Sequence, residues 1–368
     1  MTIIFSENPE NDLWRELLQF TYEANIKRYL AKKGYEVDED TMNCIAGSFL
    51  QANEYYKAAK EDNLQISPLL LYYGSTNLLY GMVNLLSGSI NKISNHGMKI
   101  FIPDQMNFIA DTKIRFLSRE DGGVHVVARA IGVTSDLTGF GDWSLREFLD
   151  SIAEIQSNFT QCYDVQTGCT IMLDIFNTPD GKAEKIYFSE ENKDDLIELL
   201  KKVEGFEKSY LRFTSATDFK TGKEYFVLRH KLTGEDISKQ SYSGQPYLQA
   251  GHIKNSKLIT IPTLLNIYIS LFALSSLCRY FPERWSPFVL KDITGEKLLI
   301  EKFMFYARRL VPNYVLNNLL ESTIQYSSSR YTATDTVKLV GEHQVQEMIE
   351  RKVMNELEKQ HIDSKEKR

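Results

Sequence analysis

Residues 67–88 read SPLLLYYGSTNLLYGMVNLLSG, and residues 258–278 read LITIPTLLNIYISLFALSSLC. Neither stretch carries a charge, and the first lies within a longer uncharged run, 63–91. Ser67 as N-cap with Pro68 at the first helical position predicts a helix start. Gly74, Asn77, Gly81, Asn84 and Gly88 then recur at three- and four-residue steps, which places a small, polar stripe along one face of an otherwise apolar helix. The second run is long enough to cross a bilayer. Pro262, Asn266 and several Ser and Thr residues within it, with no aromatic belt at both ends, argue instead for a helix buried in a large core. Asn266, Ser270 and Ala273 repeat the small stripe. These two helices are expected to form the central pair of a helical core.

Helical patterns surround them. Over 12–33, Leu13, Leu17, Phe20 and Ala24 share one face, and Gly34 stops the pattern after Lys32 and Lys33. A further helix is expected over 41–60. After the second apolar run, EKLLIEKFMFYARRL (296–310) predicts a helix stopped before Pro312. Between the two runs the period changes. KIFIP (99–103), TKIRFLS (112–118) and VHVVARAIG (124–132) read as strands, the last two joined by Asp121-Gly122-Gly123. Further hairpins are expected around NTPDGKA (177–183) and around 220–223. Ser144 with Glu147 is a capping box for SLREFLDSIAEI (144–155), and NKDDLIELLKKVEG (192–205) is amphipathic. The expected fold class is therefore α+β: a mainly α-helical core of N- and C-terminal helices packed together, with an inserted mixed α/β region of antiparallel hairpins. The segments are 1–97, helical; 98–235, the insertion; 236–328, helical; and 329–368, a linker and charged C-terminal helix. In that last helix Val345, Ile349, Val353 and Leu357 recur every fourth position as an apolar seam, the expected surface for a protein partner or a second copy.

The 368 residues are 43% hydrophobic and 25% charged, which excludes disordered and low-complexity classes. With 43 Lys+Arg against 49 Asp+Glu the formal charge is -6, so a general polyanion-binding surface is not expected and nucleic acid or nucleotide is confined to a local basic corner. Four scattered cysteines, Cys44, Cys162, Cys169 and Cys278, make neither a disulfide framework nor a zinc pair at CxxC spacing. The N-terminal apolar run is too short for a secretory signal. A cytoplasmic protein with no membrane partner is expected.

Phosphate-loop, dinucleotide, zinc-protease and serine-elbow motifs are absent. The six histidines are isolated, without metal-ligand spacing, so no metal and no cofactor are expected. Two features remain. His96, in SNHGM (94–98), follows the first apolar helix and brings a side chain able to act as acid or base. Arg279, Glu283, Arg284 and Trp285, in LCRYFPERW, follow the second, and guanidinium groups beside aromatic rings can bind phosphate or carboxylate. His96, Arg279, Glu283 and Arg284 are the catalytic candidates; Asn77, Asn266, Arg279 and Trp285 are the ligand-binding candidates.

SPLLLYYGSTNLLYGMVNLL (67–86), SNHGM (94–98), LFALSSLCRYFPERW (271–285) and FMFYARRLVPNYVLNNLL (303–320) together resemble the YaaC-like family of bacterial proteins. The resemblance spans both helical ends and implies the helical architecture; it brings no reaction with it. A fold-level resemblance to HEPN-type helical domains is also present. Many of those are metal-independent RNases with an Arg-x4-6-His motif, and such proteins occur in bacterial defence systems. Here Arg279 is followed by Arg284 where that motif has histidine, so the motif is not met, and His96 is the candidate imidazole. The leading expectation is a non-catalytic interaction or ligand-binding component of a larger assembly. The alternative is an RNase or nucleotide-processing enzyme using a His96/Arg279/Arg284 pocket.

Overall fold

The computed structural model describes residues 2–327 apart from 60–62, 134–135, 165–167, 179–180, 212, 220 and 232–234. The helices are α1 (Pro9–Leu18), α2 (Glu23–Lys32), α3 (Glu39–Ala58), α4 (Ser67–Ser87), α5 (Gly123–Ala130), α6 (Leu145–Leu149), α7 (Gln156–Tyr163), α8 (Lys193–Leu200), α9 (Phe206–Ser209), α10 (Thr263–Tyr280), α11 (Pro282–Lys291) and α12 (Glu296–Leu320). The strands are β1 (Thr2–Phe5), β2 (Met98–Phe101), β3 (Lys113–Phe116), β4 (Trp143–Ser144), β5 (Thr170–Met172), β6 (Asp174–Thr178), β7 (Gly181–Phe188), β8 (Thr214–Thr217), β9 (Glu224–Arg229), β10 (Lys239–Gln240), β11 (Pro246–Gln249), β12 (His252–Lys254), β13 (Lys257–Ile259) and β14 (Ile324–Ser327). The fold is α+β and dominated by helices.

The chain divides into two compact units, one of residues 1–170 and 249–328, the other built on 171–248. Residues 98–170, which the sequence pattern assigned to the insertion, group with the helical ends. In this helical unit α4 is enclosed from two sides. Its glycines face α3: a Cβ on Gly74 would lie 2.8 Å from the Tyr56 ring, and one on Gly81 would lie 2.8 Å from the Phe49 ring. The small stripe is therefore filled by α3 aromatics and not by α10. Another face of α4 meets α10, where the Tyr72 ring stacks on Tyr268 at 5.5 Å between centroids. α10 is buried on every side over 264–277, as its lack of charge predicts. Among the described residues no single helix is long and apolar enough to cross a membrane; α10 and α11 reach that composition only as a pair bent by 103°.

The two ends of the helical unit are tied together. Arg308 pairs with Glu10 at 3.2 Å, Tyr29 Oη donates to the Leu319 carbonyl at 2.9 Å, and β1 runs parallel to β14 with Thr2 opposite Ile324. The second unit contains an antiparallel sheet in the order β6-β7-β9-β8, which includes both hairpins expected around 177–183 and 220–223. A shorter sheet runs β10-β11-β5.

Several local expectations are corrected. VHVVARAIG is not a strand: Gly123–Ala130 is the helix α5, with Val124, Val127 and Ala128 buried at helical spacing. Its valines favour β structure only weakly, and one buried face at helical period overrides that preference. β3 instead pairs with β2 and β4. Pro312 does not stop α12, which continues to Leu320; interrupting the ladder costs about 3 kcal/mol, and burial of Leu310, Val311, Val315, Leu316 and Leu319 on both sides offsets it. The helix expected over 12–33 breaks into α1 and α2, because Thr21 Oγ1 donates to the Leu18 carbonyl and Asn25 Nδ2 to the Gln19 carbonyl. Ser67 lies inside α4 and its hydroxyl donates to the Asn63 carbonyl at 2.8 Å, so it is not the cap. The Ser144–Glu147 capping box is present, but α6 ends at Leu149. The seam of Val345, Ile349, Val353 and Leu357 lies outside the described residues, as does the whole segment 329–368.

Candidate functional site

A cavity of about 310 Å³ opens between α4, α10 and β2. α4 contributes Leu69, Tyr72 and Tyr73; α10 contributes Phe272, Ser275, Ser276, Arg279 and Tyr280, with Phe281 just beyond; the chain entering β2 contributes His96, Met98, Lys99 and Ile100. The walls are aromatic and the polar groups few, as in a small-molecule site. His96 and Arg279 thus share one cavity, although they come from distant parts of the sequence.

The position of His96 follows from the segment that forms a helix where a strand was expected. At the start of α5, Gly123 N donates to the Asn95 carbonyl at 2.8 Å and Val124 N to the His96 carbonyl at 3.1 Å. Gly97 has φ of 76° and lies so close to Gly122 that a Cβ on Gly122 would be 2.6 Å from Gly97 Cα. Both glycines are required by that approach. The His96 ring packs against Tyr72 at 5.4 Å and Phe272 at 5.5 Å while its remaining side stays open to solvent. Nδ1 lies 2.7 Å from Tyr72 Oη. Burial, and then the nearby Arg279 charge, hold the His96 pKa below its ordinary value of 6.5. Burial raises the Tyr72 hydroxyl well above the usual tyrosine range, so it stays protonated. Tyr268 is raised by burial in the same way.

Arg279 occupies the last turn of α10, the end favoured for a cation. Its Nη1 donates to Tyr73 Oη at 2.6 Å and its guanidinium lies 4.9 Å from the Tyr280 ring centroid. Tyr73 is in turn stacked on Tyr55 at 6.1 Å. Among the described residues neither Arg279 nor Lys99 has a carboxylate within ion-pair distance, and the cavity lining contains no acidic side chain. The guanidinium is oriented by its neighbours without being neutralised by them.

The other candidates lie elsewhere. Glu283 and Arg284 are exposed on the first turn of α11, outside the cavity lining, and Glu283 neutralises no arginine among the described residues. Trp285 is 1% exposed and packs on Phe288 at 5.2 Å, as part of the core. Asn77 Nδ2 donates to the Tyr73 carbonyl within its own helix, and Asn266 Nδ2 donates to the Ile261 carbonyl, both away from the cavity. Sequence reasoning missed Tyr72, Tyr73, Lys99 and Tyr280. The signal available for the first two was an adjacent pair of tyrosines in an otherwise aliphatic helix start.

A more open hollow of about 440 Å³ lies beside α5, lined in part by Arg119, His125 and Arg129. There Arg129 donates to the Glu120 carbonyl, and Glu120 and Asp136 bring negative charge into the same lining, so it offers no unopposed cation. No group of three His, Cys, Asp or Glu among the described residues is placed to hold a metal ion.

The fold and the cavity together define a helix-dominated α+β protein with an aromatic, cation-bearing cleft between α4 and α10, its two most apolar helices. The chain belongs to the YaaC-like protein family, whose family model matches residues 8–319. Neither a curated protein nor a solved structure matches it.

Proposed function

We propose that this protein binds a small planar anion, an aromatic ring bearing a phosphate or carboxylate group, in the cleft between α4, α10 and β2. The supporting observation is Arg279, oriented by Tyr73 and Tyr280 in a lining that also holds Lys99 and no acid. An acid group takes the guanidinium and ammonium, and a ring lies among Tyr72, Phe272 and Tyr280. A volume of about 310 Å³ suits one ring system with one acid group. Calorimetric titration of the full-length protein with nucleoside monophosphates and aromatic carboxylates tests the reading. R279Q removes a charge-assisted contact of roughly 2 kcal/mol, so affinity falls about thirtyfold. The reading fails if no member of the panel binds, or if R279Q binds as tightly as the wild type.

One observation favours an enzymatic use of the same cleft. His96 is neutral at pH 7, partly open to solvent, and beside a cation; with Tyr72 donating to Nδ1, its Nε2–H is left to donate to an oxygen of a phosphate ester alongside Arg279, which suits stabilisation of developing negative charge. Incubation with oligoribonucleotides and mononucleotides, with H96A as the control, distinguishes turnover from binding.

A further inference from the structure

Three groups that the cleft does not use meet elsewhere in the helical unit. Ser151 lies just after α6, Cys169 just before β5, and His252 at the start of β12. His252 Nε2 is 3.0 Å from Ser151 Oγ, and its Nδ1 is 3.5 Å from Cys169 Sγ. Ser151 is 2% exposed, and its hydroxyl lies 3.4 Å from the Glu147 carbonyl. A serine has one proton to donate. Directed to that carbonyl, it leaves a lone pair on Oγ for the Nε2–H of His252. Nε2 then carries the ring proton, and Nδ1 is the basic nitrogen facing the thiol.

The surroundings hold this pair in place. Asp150 accepts a hydrogen bond from the Cys169 backbone N–H at 2.8 Å, and its carboxyl is a second acceptor within reach of the Cys169 thiol beside His252 Nδ1. A Cβ on Gly168 would fall 2.0 Å from Asp150 Oδ1, so only glycine lets the chain pass over the carboxylate into Cys169. The His252 ring meets Trp143 edge-on at 5.6 Å, and Lys254, two residues on, pairs with Glu147 at 2.6 Å. Asp150 and Glu147 both interact favourably with a charged His252. The other thiols are placed differently. Burial pushes Cys162 up to about 11, with Glu296 adding to it. The Cys278 thiol donates to the Gln65 carbonyl at 2.8 Å, and Cys44 accepts from Asn84 Nδ2 at 3.5 Å.

We infer that Cys169 is a nucleophilic thiol, served by His252 as its base, that exchanges with small disulfides and carries the resulting mixed disulfide. In the step, His252 Nδ1 takes the thiol proton and the Cys169 thiolate attacks one sulfur of the disulfide. The old S–S bond breaks as the new one forms, and the departing thiolate takes the proton from His252 and leaves as a thiol. Cys169 is oxidised and the small disulfide is reduced, with no further reactant. Free thiols compete for attack according to the base beside them and their access to solvent.

The test is incubation of the native full-length protein with oxidised glutathione, followed by peptide mapping of the adduct on each of the four cysteines. Cys169 is expected to react at least tenfold faster than Cys44, Cys162 and Cys278, and urea unfolding is expected to abolish that ranking. H252Q should lower the Cys169 rate about tenfold and leave the other three unchanged. A Cys169 rate equal to that of Cys162 in the native protein overturns the inference, as does a folded H252Q protein with an unchanged Cys169 rate. The wild-type ranking decides the matter even where H252Q does not fold.

Discussion

The hydroxyl of Tyr72 lies 2.7 Å from Nδ1 of His96. Because Tyr72 is kept protonated by burial, it can donate to Nδ1 and leave Nε2 as the protonated nitrogen of a neutral imidazole. His96 is therefore discharged in a cleft that carries Arg279 and Lys99, and an incoming anion changes its balance. The bound negative charge offsets the Arg279 field, which raises the His96 pKa toward its ordinary value, so binding takes up a proton. An aromatic sulfonate keeps a fixed charge over this range and is the suitable probe. Its affinity should rise by up to about twofold as the pH falls from 7.5 to 6.5 and further as it falls toward the free-state pKa, and calorimetry in two buffers of different ionisation enthalpy should show proton uptake near pH 6. In H96Q the affinity should be flat across that window. For the unliganded protein the sign is the reverse: with its folded pKa depressed, His96 contributes stability that is present above about 6.5 and lost as pH falls toward the folded pKa.

Arg279 and Arg284 are five residues apart in LCRYFPERW, on α10 and α11, and only Arg279 lines the cleft. R284Q and E283Q alter exposed side chains and should change ligand affinity less than twofold. W285F, which removes an indole N–H that has no partner among the described residues, should also leave affinity unchanged while costing about 1 kcal/mol in stability through lost packing. Y73F should weaken binding several-fold by releasing the Arg279 guanidinium from its orientation. A panel in which R284Q weakens binding as much as R279Q would place the anion on α11 and contradict the cleft.

α3, α4, α8 and α10, the capping box and two of the hairpins were legible because each depends on local spacing, turn chemistry or charge. The Ser144–Glu147 box and the 177–183 turn are cases in which neighbours in sequence are also the partners in space. What was not legible depends on long-range contact. VHVVARAIG carries valines that suit a strand, and only the chain around Asn95 and His96, together with the neighbouring helices, makes it a helix. That same contact places His96 beside Arg279. The sequence offered both residues as candidates but included no distance between them, and Lys99, in a short strand with alternating exposure, gave no sign of facing a cavity. The glycine stripe of α4 was visible, but its partner was not, since small faces on two helices say nothing about a third helix with Phe49 and Tyr56.

That stripe sets two opposing effects against each other. Gly81→Ala improves helix propensity by about 1 kcal/mol. Its Cβ, however, would lie 2.8 Å from the Phe49 ring and 3.2 Å from Ser48 Cβ, both on α3 and both buried. Overpacking of this kind costs about 1–3 kcal/mol, so G81A should be destabilised by roughly 1 kcal/mol in urea unfolding. Phe49→Leu creates space at the same place, and the double variant should be more stable than the sum of the single effects predicts. Additive losses would show that α3 relaxes away from α4.

Glu296 provides the strongest stability prediction. It is 1% exposed at the first residue of α12, and its carboxyl accepts from Ile109 N at 2.6 Å, Ala110 N at 2.8 Å and Tyr163 Oη at 2.7 Å. Removing the carboxyl in E296A strands three buried donors, each costing about 1–3 kcal/mol, so the variant should lose at least about 3 kcal/mol or fail to fold. Burial nevertheless outweighs these donors and raises the Glu296 pKa above its ordinary value of 4.5. Between 4.5 and the folded pKa the native state binds more protons than the unfolded state, so the stability contributed by Glu296 is fully present below 4.5 and declines as pH rises through the folded pKa. E296Q keeps the shape and has no such titration. Its stability relative to the wild type should therefore improve as pH increases from 4.5 to 8, measured by urea unfolding at each pH. If the difference stays constant across that range, the three donors dominate burial and Glu296 is ionised in both states.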